Sequence, residues 1–183
     1  VQKLKEGYDL YCGRTENTDC NLTSISYSPM FNYQPCFKNA IVQSIAGSNT
    51  MVFNFEVYEL LKQNYHLKVP MHDWWTYLIA TFSGKKVFYD SQPKVLYRQH
   101  GKNYNGHNLG LFNQLRRIIF GLMGRYKYWN DLNELNLLEN SRIATKENLI
   151  TLTQFQYLRK KSNYHHFNLN YINRVGIHRQ TVL

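Results

Sequence analysis

Residues 72–75 read His72-Asp73-Trp74-Trp75, a carboxylate beside two indoles at the expected start of a helix. Further along comes a polar, glycine-bearing run, Tyr97-Arg98-Gln99-His100-Gly101-Lys102-Asn103-Tyr104-Asn105-Gly106. Sugars present hydroxyls to a carboxylate and flat C–H faces to aromatic rings, so these two segments together suit a carbohydrate site. Adjacent helical positions point about 100° apart. One of Trp74 and Trp75 is therefore expected in the core, the other stacked on a sugar face or walling off the carboxylate, with core packing the commoner role for either. On spacing alone Asp73 reads first as a helix N-cap and nothing more.

The elements that must position these residues follow from periodicity and breakers. Before residue 54 the chain reads as strands and loops. Tyr8 to Cys12 is an apolar run ended by Gly13, Ser24 to Pro35 an irregular excursion, and Phe37 to Ala46 either helix or strand. Gly47-Ser48-Asn49-Thr50 breaks that segment and reads as a place of close backbone approach to a ligand or as a plain turn. Met51-Val52-Phe53 is expected as a brief buried strand. Phe55, Tyr58, Leu61 and Tyr65 recur at helical spacing and end before Pro70, and His72 to Phe82 is a second helix opening at Asp73. Val87–Tyr89 and Val95–Tyr97 are expected as two strands around a Pro-containing loop.

From Leu109 onward the pattern is helical. Leu111, Leu115, Ile118 and Leu122 form one stripe with Arg116, Arg117 and Arg125 outside it, and Trp129, Leu132, Leu135 and Leu138 form another. Thr145 is the expected N-cap of a helix with Leu149, Leu152 and Phe155 inward, and Asn168 to Val175 a short fourth helix. The fold class is thus α/β, with residues 1–106 mixed and 107–183 a basic helical extension.

The 183 residues, 43% hydrophobic and 19% charged, suffice for one domain with a real core and argue against disorder. No run approaches the roughly 20 apolar residues of a membrane span. Cys12, Cys20 and Cys36 show neither a C-x-x-C spacing nor a His pair at metal-binding spacing, which fits a cytoplasmic setting. The net charge of +10 is lopsided: residues 1–83 carry six Lys or Arg against seven Asp or Glu, residues 84–183 sixteen against five. The second half therefore suits an anionic partner such as a phosphorylated small molecule, acidic lipid or nucleic acid, or is simply a solvated basic face.

Four blocks carry a family likeness: Ala46-Gly47-Ser48-Asn49-Thr50-Met51-Val52-Phe53-Asn54, His72-Asp73-Trp74-Trp75, Tyr97-Arg98-Gln99-His100 with Asn103 and Gly106, and Arg174 to Thr181. In this order they resemble the C-terminal half of a family 2 glycosyltransferase of the rhamnosyltransferase branch. The resemblance implies part of a GT-A fold and inverting displacement at an anomeric carbon, with Asp73 as catalytic base. It also implies a nucleotide-sugar donor such as dTDP-rhamnose, and a polysaccharide or lipid-linked glycan acceptor at the inner face of the cell membrane. A divalent Mg or Mn ion belongs to that chemistry, yet the Asp-x-Asp motif that would hold it occurs nowhere in the sequence. The chain is accordingly expected to be a fragment, or a product that has lost its donor half, with exposed apolar edges where that half would pack.

Within that chemistry a carboxylate at a helix start is expected to have its pKa lowered by the helix dipole. Such a weak base serves when the hydroxyl turns acidic only as the bond forms. His72 orients Asp73 by hydrogen bonding, and Gly47, Ser48 and Asn49 line the sugar. Arg98 and Lys102 neutralise phosphate oxygens of the leaving group, while a neutral His100 completes the metal's coordination. A polar turn with a surface His is the plainer alternative, and His165-His166 reads as surface. The basic helix around Arg116 and Arg117 suits peripheral contact with an anionic membrane. Two other classes compete: a basic helical module binding nucleic acid, disfavoured because the tyrosines are scattered rather than grouped on a binding motif, and a non-catalytic glycan-binding remnant.

Overall fold

The computed structural model describes residues 2–99 and 125–161. In chain order these form α1 (Gln2–Lys5), β1 (Leu10–Thr18), β2 (Ser24–Tyr27), α2 (Phe37–Ala40), a 3-10 turn (Ser48–Thr50), β3 (Met51–Phe53), α3 (Phe55–Gln63), α4 (His72–Phe82), β4 (Val87–Arg98), α5 (Arg125–Glu139) and α6 (Lys146–Lys161). The stripe from Leu111 to Leu122, the helix at 168–175, His165, His166 and the block 174–181 lie outside the described residues.

The sheet is built around β1. Strand β4 runs parallel to it along its whole length, from Leu10 opposite Val87 to Thr18 opposite Arg98. On the other edge β3 pairs antiparallel with Leu10–Cys12 and β2 with Glu16–Thr18. The architecture is mixed α/β with C-terminal helices, as expected, and is consistent with part of a GT-A-like domain.

Gly13 does not end the first strand. A Cβ there would stand 3.1 Å from the Tyr11 ring, so the bare glycine makes room for the phenol to lie along the strand and donate to Asp90 at 2.9 Å. Likewise β4 is one strand rather than two. Its register breaks on either side of Arg14, which faces Pro93, and the strand absorbs the proline in that irregularity. Part of the 24–35 excursion is also ordered, as β2.

Leu10 and Cys12 point from β1 into the core, where both are fully buried. Above them lies α4, buried from Trp74 to Phe82, as befits a helix apolar on all sides. Fully burying each large side chain of this kind is worth about 1.5–3 kcal/mol. Two of its polar side chains are satisfied by α2 and the residues flanking it, while the Trp75 indole nitrogen is buried without a hydrogen-bond partner. The Trp74 indole donates to the Ala40 carbonyl at 2.6 Å, and the Tyr77 hydroxyl accepts from the Cys36 amide at 3.0 Å while donating to its carbonyl at 3.2 Å.

The helical extension shares this core, since Leu137 of α5 and Leu152 and Phe155 of α6 join the same cluster as Trp75 and Phe82. Thr145 caps α6 as expected, its hydroxyl accepting from the Asn148 amide at 3.2 Å. Asn148 also turns back: its side-chain amide donates to the carbonyls of Thr81 and Phe82 at 2.9 and 3.0 Å, closing the last turn of α4. Gly84, at φ 80°, lets the chain leave that turn, and a Cβ on it would strike Thr145 at 2.7 Å. Between α5 and α6, buried Arg159 pairs with Asp131 and with Glu134 at 2.7 Å.

Two expected stripes divide between core and solvent, with Leu61 and Trp129 packed on the core and other members facing outward. Phe55 and Tyr58 on α3 and Tyr65 just beyond its end are exposed while Val57 is buried; on α5, Leu135 and Leu138 are exposed while Asn133, Asn136 and Leu137 are buried. A strict three-residue repeat drifts by roughly 60° per step on a 3.6-residue helix, so 129, 132, 135 and 138 span half the circumference and cannot share one face. The brief strand Met51–Phe53 forms but is not buried, since Val52 and Phe53 are both exposed, as expected of an uncovered apolar edge.

Candidate functional site

Helix α4 spans His72–Phe82 as expected, with Met71 at the cap position in extended backbone and no side-chain cap. Asp73 is therefore not the N-cap but sits inside the first turn. Its Oδ1 accepts from the Trp74 amide at 2.7 Å. The backbone amides of Asp73 itself and of Ser48 also favour its ionised form, as does the charge of His72.

These contacts and the helix start would all lower the carboxyl's pKa, yet burial outweighs them and the pKa is raised above the ordinary carboxylate value. This corrects the expectation of a depressed, weak base. The cause is position: the side chain is half-buried between the first turn of α4 and the Ser48 turn rather than projecting into water.

The Ser48 turn is itself fixed. Both the amide and the hydroxyl of Thr50 donate to the Gly47 carbonyl, at 3.0 and 2.9 Å. A Cβ on Gly47 would lie 2.7 Å from Asn49 Oδ1, so the glycine admits the folded-back Asn49 side chain. Thr50 also reaches Gly13 of β1, which ties the turn to the sheet. The structure thus brings Ser48, and with it Gly47 and Asn49, to Asp73 across a long stretch of sequence.

The remaining expected residues are placed as follows. His72 is exposed at the helix start and acts on Asp73 through its charge. Trp74 and Trp75 are both in the core, at 4% and 3% exposure, so the pair does not divide between core and ligand face as expected. Helix α4 is covered all round, which is why neither indole escapes burial. Arg98 is exposed at the far end of β4 beside Thr18, roughly 16 Å along the strands from Gly13 at about 3.3 Å per residue. His100 and Lys102 lie outside the described residues. Among the described residues no three His, Cys, Asp or Glu side chains gather where a metal ion would be held.

One polar pair was not anticipated. Tyr11 donates to Asp90 on the sheet beside Gly13, and its hydroxyl is pushed up to about 12, first by burial and then by that hydrogen bond. Tyr11 and Gly13 alternate onto one face of β1, which is the signal the sequence offered.

A curated protein described as dTDP-rhamnosyl transferase RfbG, from Shigella flexneri, is 25% identical to the chain over 118 residues. The match covers 60% of this chain and 40% of that protein, so the chain spans well under two thirds of the relative's length. This likeness suggests a glycosyltransferase relationship. No family model matches, and no solved structure matches. Among the described residues no helix is long and apolar enough to cross a membrane.

Proposed function

We propose that the chain is the acceptor-side part of an inverting family 2 glycosyltransferase in which Asp73 is the base. The observation that carries this reading is the half-buried Asp73 carboxyl, its pKa raised, in the first turn of α4 against the Ser48 turn. A raised pKa brings a carboxylate closer to the value at which a base works best near neutral pH.

In the reaction, the acceptor hydroxyl gives its proton to Asp73 as its oxygen bonds to the donor's anomeric carbon. On the opposite side the bond from that carbon to the diphosphate oxygen breaks, and the nucleoside diphosphate leaves with the electron pair. The backbone amide of Ser48 and the first-turn amides hold the carboxylate in place for this transfer. The donor is a nucleotide sugar, dTDP-rhamnose in keeping with the relative's name, and the acceptor a cell-surface or lipid-linked glycan reached at the cytoplasmic face of the membrane. Arg98 and Lys102 as phosphate contacts, and His100 with a Mg or Mn ion, belong to the same proposal.

The test is Asp73→Asn in the intact protein, assayed with dTDP-rhamnose and a glycan acceptor. Turnover is expected to vanish while dTDP still binds. A D73N variant that retained the parent's rate would end the proposal.

A further inference from the structure

Thr50 is the last residue of the 3-10 turn that faces Asp73, and it is the buried one, at 5% exposure. Its amide already donates to the Gly47 carbonyl at 3.0 Å, and the Met51 amide to the Ser48 carbonyl, so the backbone closes the turn by itself. The Thr50 hydroxyl is a second donor to Gly47, at 2.9 Å. Behind it lies the sheet. A Cβ on Gly13 would meet the Thr50 Cβ at 3.6 Å, an ordinary contact, and the next residue, Met51, pairs with Cys12 of β1. One side of Thr50 is thus fixed by the strand, and its hydroxyl carries that fixity across the turn to Gly47.

Ser48 lies inside this loop of bonds, and its amide reaches the Asp73 carboxyl. The turn therefore acts on the carboxyl in two opposed ways. It covers the group, which raises its pKa, and it supplies the Ser48 amide, which lowers it. Burial is the largest of the causes, and the Ser48 amide ranks after the amides of Trp74 and Asp73 and after the charge of His72. Covering dominates. No side chain of the turn is charged, and the charge that acts on Asp73 is that of His72 on the same helical turn.

We infer that Thr50 is a positioning residue for Asp73, its hydroxyl holding the Ser48 turn shut over the carboxyl and keeping water from it. Thr50 touches no reacting atom and acts through Ser48. Valine would fill the same space without the donor, and a buried hydroxyl that merely packs can be exchanged for an apolar group of its own shape at little cost. Packing alone therefore predicts no change at Asp73 in Thr50→Val, whereas a positioning hydroxyl predicts that water enters and the carboxyl returns toward its ordinary acidity. The inference deepens the proposed function by naming what sets the strength of its base, and it rests on that reading for what the carboxyl does in transfer.

The test follows the Asp73 carboxyl of the intact protein by carbon-13 NMR across pH, comparing Thr50, Thr50→Val and Thr50→Ser in a shared His72→Gln background so that no imidazole titrates beside it. The pH profile of dTDP-rhamnose transfer is measured with His72 in place. Thr50→Val is expected to lower the Asp73 pKa by about half a unit or more and to move the acid limb of the transfer profile the same way. Thr50→Ser, which keeps the hydroxyl, is expected to restore both. A pKa that Thr50→Val leaves in place or raises would overturn the inference. A second reading needs no substitution at the turn: the Ser48 amide resonance should shift with the same midpoint as the carboxyl, and an amide indifferent to that titration overturns the inference even where Thr50→Val fails to fold. Because the carboxyl titration needs no turnover, the two proposals fail separately. Transfer surviving Asp73→Asn ends the base and leaves the positioning residue, while a titration that ignores Thr50 does the reverse.

Discussion

Helix α4 ends in two different ways. Its last turn is closed from outside, with the Thr81 and Phe82 carbonyls taken by Asn148, the Thr145 amide donating to Phe82 at 3.3 Å, and Gly84 turning the chain away. Its first turn has a methionine at the cap, a carboxyl held above its ordinary pKa and a tryptophan nitrogen without a partner two residues on. The difference teaches that the helix is anchored at its last turn and left polar and unfinished at its first. Polar groups that are poorly satisfied cost stability, and they persist where a reaction or a ligand uses them.

Substitutions at the two ends should therefore separate activity from stability. The largest effect is expected at the first turn, where Asp73→Asn lowers transfer by roughly 10²–10⁴-fold, the usual contribution of a general base. Next is Gly84→Ala at the last turn, which meets both a left-handed backbone and the Thr145 methyl; a loss of about 2 kcal/mol is expected by chemical denaturation. Asn148→Ala removes one of the donors from each of two carbonyls and should cost about 1 kcal/mol in the same measurement. Neither change at the last turn should alter the acidity of Asp73.

The smallest effect has a sign set by burial. Because the Asp73 pKa is raised on folding, the folded chain holds that proton more tightly than the unfolded chain does. The carboxyl is therefore neutral to stability below the ordinary carboxylate value of about 4 and unfavourable as pH rises through the folded pKa. Asp73→Asn should raise the thermal midpoint at neutral pH, and the gain should vanish in acid. A midpoint that fell at neutral pH would show the carboxylate stabilising the first turn, and the contrast between the two ends would be lost.

Local signals in the sequence sufficed for α4 and for the Thr145 cap, because an uninterrupted apolar run and a hydroxyl at a helix start are decided within a few residues. They failed on α3 and α5. On α5 three-residue spacing resembled a stripe, but the geometry of the helix turned Leu135 and Leu138 outward and Asn133 inward. Acidity of Asp73 was misjudged for a related reason: the helix start is local, whereas its burial depends on the Ser48 turn brought in from a distant part of the chain. Asn148 and Asn133 carried no signal at all, since an asparagine looks the same in sequence whether it faces water, closes another helix or stands unpaired in the interior.

Strand β4 has a consequence for handling the protein. Among the described residues it pairs only with β1, and the irregularity at Pro93 divides it into Val87–Asp90 and Val95–Arg98, two regular stretches of four residues each. Short, interrupted borders with a proline and a neighbouring lysine are poor templates for recruiting a second copy. Edge-on recruitment of a second copy through β4 should therefore be weak and should not mimic saturable ligand binding.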